Sequence, residues 1–178
     1  MTLLATAFAA ARGRLPVRRP SLSMRTICAS LLCLALALPP AHAADADAAT
    51  AIDNAALVRG AFEDWRTGRG SVFKLLADDV EWTVAGDSPV SGVYRSRQDF
   101  LERAAGPITA RLSTPIVPEV KHVVAQGDAV VVIWDGTATT RDGETYRNSY
   151  AWHMVLDNGR ITRVVAFLDT WALERLMR

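Results

Sequence analysis

Asp169 is the acid in the most unusual setting: it follows the apolar run Val164, Val165, Ala166, Phe167, Leu168 and precedes a helical pattern from Trp171 to Met177. An apolar wall disfavours a carboxylate and moves its pKa toward neutrality, where a side chain can exchange protons with a substrate. The same position suits a helix cap, with Asp169 or Thr170 accepting from the first free N–H groups. Asn148, Tyr150 and Trp152 alternate, so a strand places all three on one face, with Met154 continuing it. On a concave face they would line a pocket, Asn and Tyr supplying hydrogen bonds and Trp a stacking wall; packed against helices, Trp152 would be core. Asp78-Asp79 pairs two carboxylates, but adjacent residues diverge and no metal-loop pattern follows, so they read as a helix-to-strand junction in water. His122 and His153 fall on separate strand patterns without a second ligand at metal spacing, so no metal site is expected. His153 lies opposite Trp152, toward solvent or a partner subunit. Neither a phosphate-cradling glycine loop nor a Ser-His-Asp arrangement is visible, and no cofactor is expected.

The elements that must position these residues start with helices. Leu57, Val58, Ala61, Phe62 and Trp65 recur at helical spacing, with Asp53 or Asn54 as cap and Gly68 and Gly70 ending the run. Ser71 can cap a short second helix through Leu76, after which Val80, Trp82 and Val84 alternate with Glu81 and Thr83 as in a half-buried strand. Gly86-Asp87-Ser88-Pro89 is a turn, and Ser96 with Asp99 resembles a capping box opening a third helix to about Ala105. Strand-like runs follow at 112–117, 120–125, 129–139, 145–156 and 161–168, punctuated by Gly127-Asp128, Asp142-Gly143 and Asn158-Gly159. Helices followed by an antiparallel meander predict an α+β domain with helices on one face of a bent sheet. The tryptophans Trp65, Trp82, Trp134, Trp152 and Trp171 are spread over helices and strands, mostly as core.

The apolar run Ile27 to Leu38 follows Arg25 and leads through Pro39-Pro40 to Ala41-His42-Ala43, the small-x-small pattern of a signal-peptide cleavage site. Twelve apolar residues are too few for a permanent span, which needs about 20. Residues 1–43 therefore read as a signal peptide cut after Ala43, with Met24 as an alternative start, and 44–51 as a flexible spacer before a domain at 52–178. Five of the 20 Lys and Arg lie in the leader and all 19 Asp and Glu after it, leaving 15 bases against 19 acids, a net −4. Scattered bases argue against nucleic acid as partner. Cys28 and Cys33 leave with the leader, so the mature domain carries no thiol chemistry. A periplasmic or secreted protein, free of the membrane after cleavage, is expected.

Leu75 to Trp82 (LLADDVEW), the passage Gly92 to Phe100, Tyr146 to Trp152 (YRNSYAW), and Asp157 to Ile161 leading to Phe167-Leu168-Asp169-Thr170 together resemble the nuclear transport factor 2-like superfamily, in its SnoaL-like, ketosteroid isomerase-related branch. The resemblance covers about residues 52–177 and implies a cone: a curved, mainly antiparallel mixed sheet wrapped around three N-terminal helices, with a pocket at the wide end. The fold hosts isomerases, cyclases and non-catalytic binders alike. Isomerases of this branch use a general-base Asp with Tyr and Asp oxyanion donors. Here the base position falls at about Val84, the Tyr position near Ala61 to Glu63 and the third near Trp152, so isomerase activity is rejected. In SnoaL-like cyclases an Asp near the end of the last strand is general acid/base, and Asp169 resembles it, with Asn148 or Tyr150 polarising a carbonyl. The resemblance also places Trp65 and Trp82 at the pocket mouth and interior. Phe62, Trp65, Trp82, Asn148, Tyr150, Trp152 and Phe167 are the candidate ligand-binding set, for a small apolar or aromatic molecule. Dimerisation through the outer sheet face, with Arg147, His153 and Val155, is a further expectation.

Overall fold

Helix α1 (Ala41–Arg66) opens the part of the chain that the computed structural model describes, residues 41–178. The apolar run at 27–38, both cysteines and most of the expected signal peptide lie outside the described residues. Among the described residues no helix is long and apolar enough to cross a membrane. The sequence reads 44–51 as a spacer, yet the structure has it helical, because its many alanines are the best helix formers. Its side chains up to Thr50 are nevertheless exposed, and packing begins at Ala51. Neither Asp53 nor Asn54 caps the helix; Asn54 is buried and donates to the Gly127 carbonyl at 3.4 Å. The expected stripe is buried at Val58 and Phe62, and α1 lies over the later strands at 117–126 and 129–139.

Ser71 caps as its residue type predicts, accepting from Phe73 N at 3.2 Å, but the element it opens is a single 3-10 turn (Val72–Leu75). Strand β1 (Leu76–Val84) buries Val80, Trp82 and Val84 in the alternation read from the sequence and leaves Asp78 and Asp79 exposed. After β2 (Gly92–Tyr94), Ser96 accepts from Asp99 N at 3.0 Å and starts a helical segment: α2 (Arg97–Phe100), a π-helical turn (Leu101–Ala105) and α3 (Gly106–Thr109). Pro107 has no N–H and its ring would crowd the carbonyl four residues back; widening the turn to π relieves both. Gly106 makes the widening possible, since a Cβ there would sit 3.0 Å from the Leu101 carbonyl oxygen.

The meander comprises β3 (Val117–Gln126), β4 (Ala129–Thr139), β5 (Thr145–Asp157) and β6 (Arg160–Leu168), closed by α4 (Thr170–Met177). Most of the run 112–117 is not a strand: Leu112 bridges to Thr140 and Val117 opens β3 opposite Thr137, and between them Pro115 withholds a donor from the ladder. Residues Gly127, Asn158 and Gly159 take positive φ at the hairpin turns, as the Gly-Asp and Asn-Gly pairs predict. The strands form one curved, unclosed sheet in the order β2-β1-β6-β5-β4-β3, antiparallel except for β1 with β6. Mixed α+β architecture with helices on the inner face agrees with the cone expected from the resemblance.

Candidate functional site

The inner face of the sheet is paved with aromatic rings because period-2 alternation puts Trp82 of β1, Trp134 of β4, and Tyr150 and Trp152 of β5 on the same side. Trp82 stacks on Phe100 (centroids 3.9 Å, 16°) and Trp134 on Tyr150 (3.9 Å, 10°). Trp152 stands perpendicular to both tryptophans, 4.9 Å from each at 84°. Its neighbour across the ladder on β6 is Ala166, whose small side chain leaves room for the indole. Edge-to-face pairs of this kind add about 0.5–1.5 kcal/mol each beyond their buried area. Truncating Trp152 to Ala would cost about 3–5 kcal/mol, so the ring is core and wall at once.

Between these rings and the helices lies a cavity of ≈ 190 Å³. Trp65 of α1, Phe73 of the 3-10 turn, and Ala104, Ala105, Ile108 and Thr109 of the π turn and α3 form its roof; Leu112, Pro115 and Ile116 close one side. Small alanines on the π turn are what keep that roof from filling the space. Val84, where isomerases of the branch would have their base, contributes an alkyl group to the wall. Among the described residues no Asp, Glu, Lys, Arg or His lines the cavity, and Tyr150 is the one titratable side chain that does. Burial pushes its phenol well above the usual value, with the neighbouring Tyr146 adding to the shift, so it stays protonated. Its hydroxyl lies 3.1 Å from that of Tyr146. Thr109 donates back to the Ala105 carbonyl at 2.9 Å.

Of the residues expected in the site, Trp65, Trp82, Tyr150 and Trp152 are in the cavity wall. Phe62 is not; it is sealed behind them, 5.8 Å from Trp65, 5.6 Å from Trp134 and 5.9 Å from Trp152. Phe167 is a correction: it is 55% exposed, on the outer face, because Ala166 and Leu168 take the inward positions on either side of it. Asn148 is buried on the inner side but beyond the cavity, and its amide pins the strand-to-helix junction. Its Oδ1 accepts from Asp169 N at 2.9 Å, and its Nδ2 donates to the Asp169 carbonyl at 3.0 Å and to Tyr146 OH at 2.9 Å.

Asp169 is likewise corrected in its place: it is exposed, outside the apolar wall. Its Oδ1 accepts from Trp171 N at 3.0 Å and Ala172 N at 3.1 Å, the N-cap of α4. The cap geometry, not desolvation, explains an acid at the end of an apolar strand. Phe73, Phe100 and Trp134 are wall residues that the sequence reading did not assign to the site. A larger cleft of ≈ 430 Å³ lies beside α4, lined in part by five arginines. Two of them hold backbone: Arg111 donates to the carbonyls of Pro107 at 2.9 Å and Met177 at 3.0 Å, and Arg141 to that of Ala110. They tie α3 and α4 to the β4–β5 hairpin. Among the described residues no group of three or more His, Cys, Asp or Glu side chains converges.

Comparison with solved structures finds the same fold. Bal32a, from a soil-derived mobile gene cassette, is 21% identical, with 72% of this chain and 99% of that one covered and a TM-score of 0.61. An NTF2-like protein of unknown function from Burkholderia pseudomallei is 19% identical over 70% and 97% of the two chains, TM-score 0.59. TerC, co-crystallised with polyporic acid, is 22% identical over 70% and 97%, TM-score 0.57. No curated protein sequence matches the chain. The model of the SnoaL-like domain family matches residues 54–164, well over half of the sequence and nearly all of the sheet just described, and the chain belongs to that family.

Proposed function

We propose that this protein binds a small, largely apolar aromatic molecule in the cavity between sheet and helices, and that it does so outside the cytoplasm after removal of residues 1–43. The observation that carries the reading is a wall made of Trp65, Phe73, Phe100, Trp134 and Trp152 with no charged side chain among the described residues that line it. Such a surface gains from excluding water and offers nothing to neutralise an ion. The co-crystal of TerC with polyporic acid supports small-molecule binding as a use of this fold. Proton transfer by Asp169 is the weaker reading, since its carboxylate is occupied by the α4 cap and faces solvent.

A thermal-shift screen of neutral aromatic compounds, followed by titration of those that raise the melting temperature, tests the proposal. Ligand at 100-fold its Kd stabilises by about 2.7 kcal/mol, an easily read shift. If only charged or sugar-like compounds stabilise the protein, the reading is wrong. Mass determination of protein recovered from the culture or periplasm checks export, which requires a chain beginning at Ala44.

A second reading, homodimerisation through the outer sheet face, is favoured by Val124 (62% exposed), Ile133 (43%) and Phe167 on that face. Light scattering at high concentration decides it: a monomer there refutes it.

A further inference from the structure

The cleft beside α4 gathers charges that stand far apart in the sequence. Arg111, Arg141, Arg147, Arg175 and Arg178 all line it. Of the 15 bases that follow residue 43, five therefore share one hollow of ≈ 430 Å³, together with only two of the 19 acids, Asp142 and Glu144. Bonds to backbone carbonyls fix Arg111 and Arg141 without cancelling their charge, because a carbonyl is a dipole and not an ion. Arg178 is matched by Glu174 at 2.8 Å and lies over the Trp171 ring. Arg147 and Arg175 are exposed, and among the described residues neither has a carboxylate oxygen within 4 Å. Arg147 also borders a second hollow that holds Glu119, Asp135 and Asp169. Those acids are taken elsewhere, Glu119 by Lys121, Asp135 by Ser149 and Lys121, and Asp169 by the α4 cap. Asp142 accepts from the Thr140 hydroxyl. Complementing the negative C-terminal end of the α4 dipole accounts for Arg175 and Arg178. It does not account for Arg111, Arg141 and Arg147, which come from other elements.

We propose that this cleft is a second ligand site, which takes a small organic dianion and holds its carboxylate or phosphate oxygens on Arg147 and Arg175. Guanidinium forks match both kinds of oxyanion and form the stronger, charge-assisted class of hydrogen bond. Two guanidinium groups without a counter-ion suit two negative charges. The charges of Arg111 and Arg141 are already fixed, so they attract the ligand without further ordering. An organic body rather than a bare ion follows from Ala110, Ala172, Leu176 and Tyr146, which give the cleft apolar surface as well. A volume of ≈ 430 Å³ lies among the pockets of about 300–1,000 Å³ that hold one small molecule. The site stands apart from the apolar cavity, since no residue lines both.

The test is titration calorimetry with phthalate and with phenyl phosphate, at constant ionic strength set with sodium chloride, on the full chain and on Arg147→Gln, Arg175→Gln and Arg163→Gln. Arg163 is the matched control: it is exposed on β6, pairs with no acid among the described residues and lines neither the cleft nor the cavity. One saturable site per chain is expected for at least one probe, and the probe that saturates identifies carboxylate or phosphate as the group recognised. Arg147→Gln and Arg175→Gln should each weaken that binding about tenfold, as loss of a charge-assisted bond would, while Arg163→Gln leaves it unchanged. Affinity should also fall as salt is raised. All three side chains are exposed, so the variants should fold; if Arg175→Gln loosens α4, Arg147→Gln decides alone. No saturation by either probe, or equal weakening by Arg163→Gln, means that the arginines form a solvated charged surface only, and overturns the site. Naphthalene, the probe for the cavity, should bind all three variants as it binds the unmodified chain, so that either site can fail without the other.

Discussion

Gly136 gives the sharpest test of how the cavity is built. It lies on the inner face of β4 opposite Asn148, two residues past Trp134. A Cβ there would stand 2.9 Å from Ile116 Cγ2, 3.0 Å from Trp134 Cζ3 and 3.1 Å from Tyr150 Cε2, where carbon contacts ordinarily settle at about 3.5–4.0 Å. The two rings are stacked on each other at 3.9 Å, so neither can retreat without opening the stack. Overpacking of this kind costs about 1–3 kcal/mol, while replacing glycine by alanine returns about 0.4–1 kcal/mol through the unfolded chain. Gly136→Ala should therefore lose about 1–2 kcal/mol, or about 3–10 °C in melting temperature for a domain of this size. Gly60 provides the internal contrast: it is exposed within α1, its backbone needs no positive φ, and a Cβ there meets nothing within 4 Å. Gly60→Ala should gain about 0.4–1 kcal/mol, so one substitution changes sign between two sites. Urea denaturation followed by circular dichroism, with the slope unchanged, measures both. A neutral or stabilising Gly136→Ala would refute the close approach of Ile116, Trp134 and Tyr150 over bare backbone. Because those three side chains line the cavity, Gly136→Ala should also weaken ligand binding, and Gly60→Ala should not.

Further outcomes follow from the same geometry. Asp169→Ala should cost about 0.5–2 kcal/mol by uncapping α4, whereas Asp169→Asn, which can still accept, should stay within about 0.5 kcal/mol and leave ligand affinity unchanged; loss of binding in the Asn variant would restore the acid to a functional role. Desolvation raises the phenols of Tyr94, Tyr146 and Tyr150, so the folded chain keeps their protons to higher pH than the unfolded chain, where they leave near about 10. Their contribution to stability is full below that pH and is lost as pH climbs above it, so phenolate absorbance should appear together with unfolding; phenolate formation at about pH 10 in a still-folded protein would contradict the burial. Starting the chain at Ala51 instead of Ala44 should change stability by less than about 0.5 kcal/mol, because the intervening side chains are exposed, and a larger loss in urea titration would show that this end of α1 packs.

Much of the fold was legible because its signals are local. The capping pair Ser96 and Asp99, the Ser71 cap and the turn pairs act within a few residues of themselves, and the structure has them doing what their types predict. The failures are places where a distant partner decides. Residues 112–117 read as a strand, but with Pro115 among them only Leu112 and Val117 pair with the neighbouring strand. Phe167 faces outward because β6 carries a bulge near Thr162: Ile161 and Val164 both point inward although three residues apart, and alternation from Val164 then turns Ala166 in and Phe167 out. Asp169 looked like an acid in an apolar wall because its sequence neighbours are apolar, but at the mouth of a helix the backbone N–H groups, not those neighbours, set its surroundings.

Trp134 was within reach of the sequence and shows how. The Asp142-Gly143 turn fixes the β4–β5 register with Thr139 opposite Thr145, and counting back five places puts Trp134 opposite Tyr150 on the face that already holds Trp152. Large side chains at matched positions can be found this way, and they give the walls. The void between them is set by residues that leave no hydrophobic period: Gly136 beneath the Trp134–Tyr150 stack, Ala166 beside Trp152, and Ala104 and Ala105 on the π turn that Pro107 imposes. A larger side chain at any of these would fill the cavity without altering the strand or helix pattern around it. The position of the site in this chain is therefore written in its small residues, and its apolar, aromatic character in the large ones around them.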